Sequence, residues 1–204
     1  MALVAALPYG DRMVDTSMGA EANGHPVRPL NREEQRAWVP LVQAMLHLLA
    51  TLDDELKRGL DLSHLDYGIL TLLHLDPRRR RRMTELATTF GVEPNVITYR
   101  VRRMEEHGWV RRGRATADKR GVYAILTEEG LALLRRAAPL HIQGVRRHFL
   151  DQVSPAQLAV LADVFGPLHQ RQVAGLGGDM ADEEPDTGIR GTPTAARFLG
   201  DTVV

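Results

Sequence analysis

Apolar positions in the middle of the chain recur at steps of three and four, the period of a helix with one buried face. In the stretch NREEQRAWVPLVQAMLHLLATLDDELKRG, residues 31–59, Trp38, Leu41, Met45, Leu49, Leu52 and Leu56 keep that step. Asn31 stands where an N-cap is needed, and Glu34 three residues on completes a capping box. Leu46 and Leu48 widen the apolar surface beyond one stripe, so this helix needs two partners, a domain core and a second subunit. Pro40 falls near its start and predicts a bend in the first turns. LSHLDYGILTLLHLD predicts a second helix, capped by Ser63 and stopped at Pro77. MTELATTFGV predicts a short third helix with Thr84 as its cap, Leu86, Ala87 and Phe90 as its apolar face, and Gly91 supplying a positive-φ turn. EPNVITYRVRRMEEHGW predicts a fourth, with Pro94 at its first position and Gly108 at its end. The period then changes to two: VRRGR and VYAILT alternate as strands on either side of a turn. Thr127 caps a fifth helix, bent at Pro139, and Ser154 with Pro155 opens a last one carrying Leu158, Leu161, Val164, Phe165 and Leu168 on one side.

A short helix, a glycine turn and a second helix make a helix-turn-helix, a weak signal in any helical protein. The two-stranded hairpin that follows makes it a winged helix-turn-helix. The fold class expected is mainly α with a small β-hairpin: a DNA-binding lobe at about 61–127 and a helical dimerisation region at about 31–60 and 128–173. At 100° per residue, Ile97, Val101 and Met104 of the fourth helix share a narrow arc and face the core. Asn95, Thr98, Tyr99 and Arg102 fall opposite. Asn and Arg side chains pair with adenine and guanine edges, and a Thr methyl meets thymine. The plainer reading is an exposed polar face; the wing beside it favours base reading.

Charge supports that choice. The whole chain is neutral, with 26 basic and 26 acidic residues. From Asp76 to Arg120, however, 13 basic residues, Arg103 and Arg114 among them, accompany six acids. Such a footprint suits phosphates. The five arginines at 78–82 read either as a solvated loop or as phosphate contacts. Residues 1–30, rich in Gly, Pro and small side chains, read as a mobile tail. Residues 174–204 read as an acidic, Gly-rich and disordered one, whose six acids and two arginines mask the basic middle. In a narrow minor groove negative potential is concentrated, and an arginine on a slim hairpin can enter it. Arg120 is placed for that role, with Lys119 beside it and Asp118 bracing the tip.

The span from Asn31 to about Gln172 resembles the MarR (multiple antibiotic resistance regulator) family. The residues that carry the likeness are LATTFGVEPNVITYRVRRMEEHGWVRR, the Asp118-Lys119-Arg120 element, and LTEEGLALL beginning at Leu126. The resemblance implies a homodimer built from the first and the last two helices. It also implies a recognition helix in the major groove of double-stranded DNA and a wing arginine in the minor groove. The implied function is transcriptional control, as a repressor or an activator relieved by a small lipophilic or phenolic effector. Effector pockets of this family lie between the dimer helices and the DNA-binding lobe. Trp38, His47, His64 and Tyr67 are the aromatic or polar-tipped residues nearest that junction, and core packing accounts for each equally well. Glu93, Pro94 and Asn95 depart from the Ser and Arg of many relatives, so base preference does not carry over. A winged helix used only to bind another protein is the alternative.

Other chemistry is not expected. With no cysteine, disulfides, thiolate metal sites and the peroxide-sensing branch of the family are excluded. The eight histidines lack ligand spacing, since His141 and His148 are two turns apart, so no metal is expected. No nucleophile–base pair, P-loop or dinucleotide motif is present, so neither enzyme activity nor a cofactor is expected. No apolar run reaches the length of a membrane span, and MALVAALPYGDRM lacks a basic n-region. A cytoplasmic protein is the expectation.

Overall fold

A computed structural model describes residues 21–22, 25–26, 28–114 and 121–176, with side chains over 28–113 and 121–172. The wing-tip residues Asp118, Lys119 and Arg120, the side chain of Arg114, and most of both expected tails lie outside the described residues. Near the N-terminus, β1 (Glu21–Ala22) pairs antiparallel with β2 (His25–Pro26). The order is then α1 (Arg32–Leu60), α2 (His64–Leu75), β3 (Arg80–Arg82), α3 (Met83–Phe90), α4 (Pro94–Glu106), β4 (Val110–Arg114), β5 (Val122–Leu126), α5 (Glu128–His148), a single 3-10 turn and α6 (Pro155–Leu176). Among the described residues no helix is long and apolar enough to cross a membrane.

By its contacts the chain divides inside α1, into Met1–Thr51 and Leu52–Val204. In the first unit α1 begins with a complete capping box: Asn31 Oδ1 accepts the Glu34 N–H at 2.9 Å, and Glu34 Oε2 accepts the Asn31 N–H at 2.8 Å. Arg28 pairs with the same carboxylate. The helix runs on through Pro40. Trp38, Met45, Leu46 and Leu49 are exposed.

The second unit holds the core. Ile69, Leu70 and Leu73 of α2, Leu86 of α3, Ile97, Val101 and Met104 of α4, and Ala137 of α5 are completely buried together, with Leu56 and the sheet residues Val110, Ala124 and Leu126. Ser63 and Thr127 act as the caps the sequence indicates, accepting the N–H groups of Asp66 and Gly130 at 3.1 and 3.0 Å. Gly130 is needed for packing, because a Cβ there would collide with the carbonyl oxygen of Trp109. Gly144 likewise lets α5 close on Leu52 and Glu55 of α1.

Two local expectations are corrected. Thr84 is not the cap of α3; the helix starts two residues earlier than that cap implies, at Met83, and Arg82 is its N-cap, with Glu85 Oε2 accepting the Arg82 N–H at 3.3 Å. The five-arginine run is not simply a loop either. Arg80–Arg82 form a third strand, giving the antiparallel order β3-β5-β4. A long-range partner decides this, since each residue of β3 faces one of β5: Arg80 pairs with Ile125, Arg81 with Ala124 and Arg82 with Tyr123.

Candidate nucleic-acid interface

The helix-turn-helix is closed by local chemistry. Gly91, at φ 60°, takes the left-handed conformation that ends α3, and its N–H reaches Thr88 O at 3.1 Å. Pro94 starts α4 where no N–H is needed. Ile97, Val101 and Met104 are fully buried, so the orientation of α4 is set by its apolar face. That orientation leaves Asn95, Thr98, Tyr99, Arg102 and Arg103 exposed. Tyr99 keeps 59% of its surface, an unusual outlay for an aromatic side chain. Thr98 Oγ1 donates to the Pro94 carbonyl at 2.9 Å, so its donor is already committed and its methyl and lone pairs remain to offer. Arg102 meets Glu106 at 3.1 Å one turn on; both are well exposed, and such a pair contributes only a few tenths of a kcal/mol.

The wing is a regular hairpin in register from Val110 opposite Leu126 to Arg114 opposite Val122. Its base is tied to α4. Glu105, in the last turn of that helix, accepts the backbone N–H of Arg112 at 3.0 Å and its Nε at 2.7 Å. By sequence Arg112 counts with the free basic cluster; the structure places it in this clamp. Arg79 donates to Glu128 at 2.8 Å, while Arg81 forms only a longer ion pair with Asp76, at 3.7 Å and without a hydrogen bond. Arg80 and Arg82 both lie over the ring of Tyr123, at 4.8 and 5.7 Å from its centroid, and Arg82 Nε also donates to its hydroxyl at 3.2 Å.

Behind α4 a cavity of about 130 Å³ opens between the end of α1, the start of α2 and α4, bounded by Lys57, Asp66, Arg100, Arg103 and Trp109. Asp66 is buried; its Oδ2 accepts from Ser63 at 2.6 Å and lies 3.6 Å from Arg100, while Oδ1 has no partner among the described residues. Nothing in the sequence pattern discloses this cavity, because its walls come from well-separated segments of the chain. Of the residues that the sequence suggests for a pocket instead, Trp38 is exposed, and Tyr67 and His64 pack around His141 with ring centroids 4.4 and 5.1 Å away. Among the described residues no three His, Cys, Asp or Glu side chains are placed to share a metal ion.

The family model described as MarR matches residues 62–122, the lobe just described. The chain is similar over 70% of its length to Sco3205 of Streptomyces coelicolor, a MarR family transcriptional regulator crystallised in complex with DNA. The identity is 39%, the coverage of that chain 92% and the TM-score 0.66. AbsC from the same organism, another MarR family transcriptional regulator, is 34% identical with 71% of this chain and 97% of that chain covered, at the same TM-score of 0.66. The HTH-type transcriptional regulator PecS of Dickeya dadantii is 32% identical over 90 residues, which are 44% of this chain; the chain spans about half, 54%, of that relative's length. With its winged helix and its cover of nearly all of two solved regulators, the chain belongs to the MarR family of DNA-binding transcriptional regulators.

Proposed function

We propose that the protein is a homodimeric regulator that binds a pseudo-palindromic operator and releases or remodels it in response to a small effector. The observation that carries this reading is the pairing, through Glu105 and Arg112, of a recognition helix with a basic wing. Asn95, Thr98, Tyr99 and Arg102 read base edges in the major groove, and Arg103 meets phosphate. Arg114, Lys119 and Arg120 act from the wing, with Arg120 in the minor groove and Asp118 bracing it. The relative bound to DNA in its crystal supports the mode. Dimerisation is supported by apolar side chains left exposed on two helices: Trp38, Met45 and Leu49 on α1, and Val160, Val164, Phe165 and Leu168 on α6. A two-fold dimer then reads half-sites about one helical turn apart. The effector reading is supported by the cavity behind α4, where Asp66 Oδ1 is a buried acceptor with no partner among the described residues.

The test is binding to duplexes selected from a random pool by the purified protein. Enrichment of a two-fold-related sequence, with affinity falling steeply as salt rises, is the expected result. No enrichment and salt-independent binding would favour a winged helix used to bind another protein.

A further inference from the structure

The sheet has two faces, and its register sorts the arginines between them. Neighbouring residues on a strand point to opposite faces, and directly paired residues share one. Ala124, Leu126 and Val110 are buried and define the inner face. Arg81 and Arg112 pair with Ala124 and so belong to that inner side, where each has a carboxylate, Asp76 and Glu105. The outer face holds Tyr123 and Ile125 in the middle, Arg82 and Arg80 on one flank, and Gly113 and Arg111 on the other.

Among the described residues, neither of these two rows includes an Asp or Glu. No carboxylate among the described residues lies within ion-pair distance of Arg80 or Arg111. Glu85, three residues beyond Arg82, accepts the backbone N–H of Arg82, which is not itself without partners. The Arg80 guanidinium lies over the ring of Tyr123, a cation–π contact that favours this placement before anything binds. On the other flank, a Cβ on Gly113 would lie 2.7 Å from Ile125 Cδ1 and 3.9 Å from Arg111 Nη1, so Ile125 and the Arg111 guanidinium converge above that glycine. The inward-facing arginines, with their acidic partners, are structural. Arg80, over the Tyr123 ring, and Arg111, beside Gly113, have no acid among the described residues to meet them, an arrangement suited to an anion from outside.

The position identifies the anion. The Arg82–Tyr123–Gly113 row is one step from Arg114–Val122, the last described pair on the wing-tip side. Counting about 3.3 Å per residue, the Arg80–Ile125–Arg111 row lies roughly 10 Å from that last pair. A hairpin whose turn enters the minor groove is bounded by two phosphate backbones, one on each side. The inner side packs on the helices of the lobe; on the docking proposed above, the outer side is the one turned to the duplex beyond the half-site. We propose that the outer sheet face, Arg80 and Arg111 around Tyr123 with Arg82 beside them, is a second phosphate-binding surface that grips duplex DNA beyond the half-site. Guanidinium groups suit this partner because they engage phosphate oxygens in pairs. The surface contributes affinity and site length, not base preference. It rests on the DNA-binding reading above.

The experiment compares a selected operator duplex trimmed to its two half-sites with the same duplex extended by about one helical turn, roughly 10 base pairs, at each end. Wild type should bind the extended duplex more tightly and with a steeper salt dependence. In the double variant Arg80→Gln/Arg111→Gln the slope on the extended duplex should fall by about 1.8 per protomer, at about 0.9 for each phosphate no longer neutralised. Binding to the trimmed duplex should stay as in wild type. Arg80→Lys/Arg111→Lys should recover most of the slope, and melting curves of all three proteins should confirm equal folding. The proposal is overturned if wild type does not distinguish the two duplexes, if the Gln variant matches wild type on the extended one, or if it weakens equally on both. Wild type binding neither duplex would instead overturn the DNA-binding reading on which this one stands.

Discussion

The carboxylate of Glu105 accepts two hydrogen bonds from Arg112, one from the backbone N–H and one from Nε, so the last turn of α4 is tied directly to the middle of β4. On the docking proposed above, the reader helix and the wing address neighbouring grooves and must keep a fixed separation, which this pair constrains. The backbone N–H, foremost, and the guanidinium hold the Glu105 carboxyl below the usual carboxylate range, against the opposing effect of burial.

Glu105→Gln should therefore loosen the wing at neutral pH. The pair is partly solvent-screened, so the stability loss is no more than about 1 kcal/mol. A carboxyl whose folded value is depressed stabilises the fold above its unfolded value, about 4.3, and that stabilisation is lost as pH falls through the folded one. The difference between wild type and variant should be largest above about pH 5 and vanish in acid, as measured by denaturant melts across pH. An undiminished difference at low pH would show that the charge is not the cause.

His141 predicts a second pH effect. Burial, foremost, and the adjacent His64 push its imidazole down to about 4, so the fold holds it neutral. The unfolded chain takes up that proton near about 6.5, so stability should fall as pH drops from there toward about 4. His141→Leu should flatten much of this loss, leaving the parts due to His64 and His74, which burial also lowers. Histidine titration by NMR and melts of both proteins across the range from about pH 4 to about pH 7 would check it.

Gly130→Ala tests the joint between α5 and the wing base. Its methyl meets the Trp109 carbonyl oxygen, a backbone atom that cannot swing aside. Overpacking of this kind costs about 1–3 kcal/mol, and a thermal melt should show a clear fall in Tm. A Tm equal to wild type would mean that α5 can shift outward at no cost.

On α4, Asn95→Ala and Arg102→Ala should each weaken operator binding by about 1–3 kcal/mol and relax preference at a single base position. Arg120→Ala should weaken binding with limited change in preference, unless the wing site is rich in A·T pairs. Competition gel shifts against single-base operator variants separate the two behaviours; both classes binding as wild type does would remove the proposed mechanism.

Phe165→Glu on α6 places a charge among exposed Val160, Val164 and Leu168. If these side chains meet a second copy, the variant should sediment as a monomer and lose operator affinity while retaining its helical signal. A variant that remains dimeric would move the interface elsewhere.

The sequence by itself determined the helices, most of their caps and the outward face of α4. Asn31 with Glu34, Ser63, Gly91, Pro94 and Thr127 act on groups within about four residues, and Ile97, Val101 and Met104 repeat at a period that only a helix satisfies, so these choices are local and legible. Tertiary structure alone decided what each arginine does. Arg79 finds Glu128 49 residues away and Arg112 finds Glu105 across the end of a helix, while β3 exists because β5 lies beside it. Composition shows how many cations a segment carries. Which of them are neutralised, and which face outward, follows from distances between chain segments, and those are fixed only when the core closes.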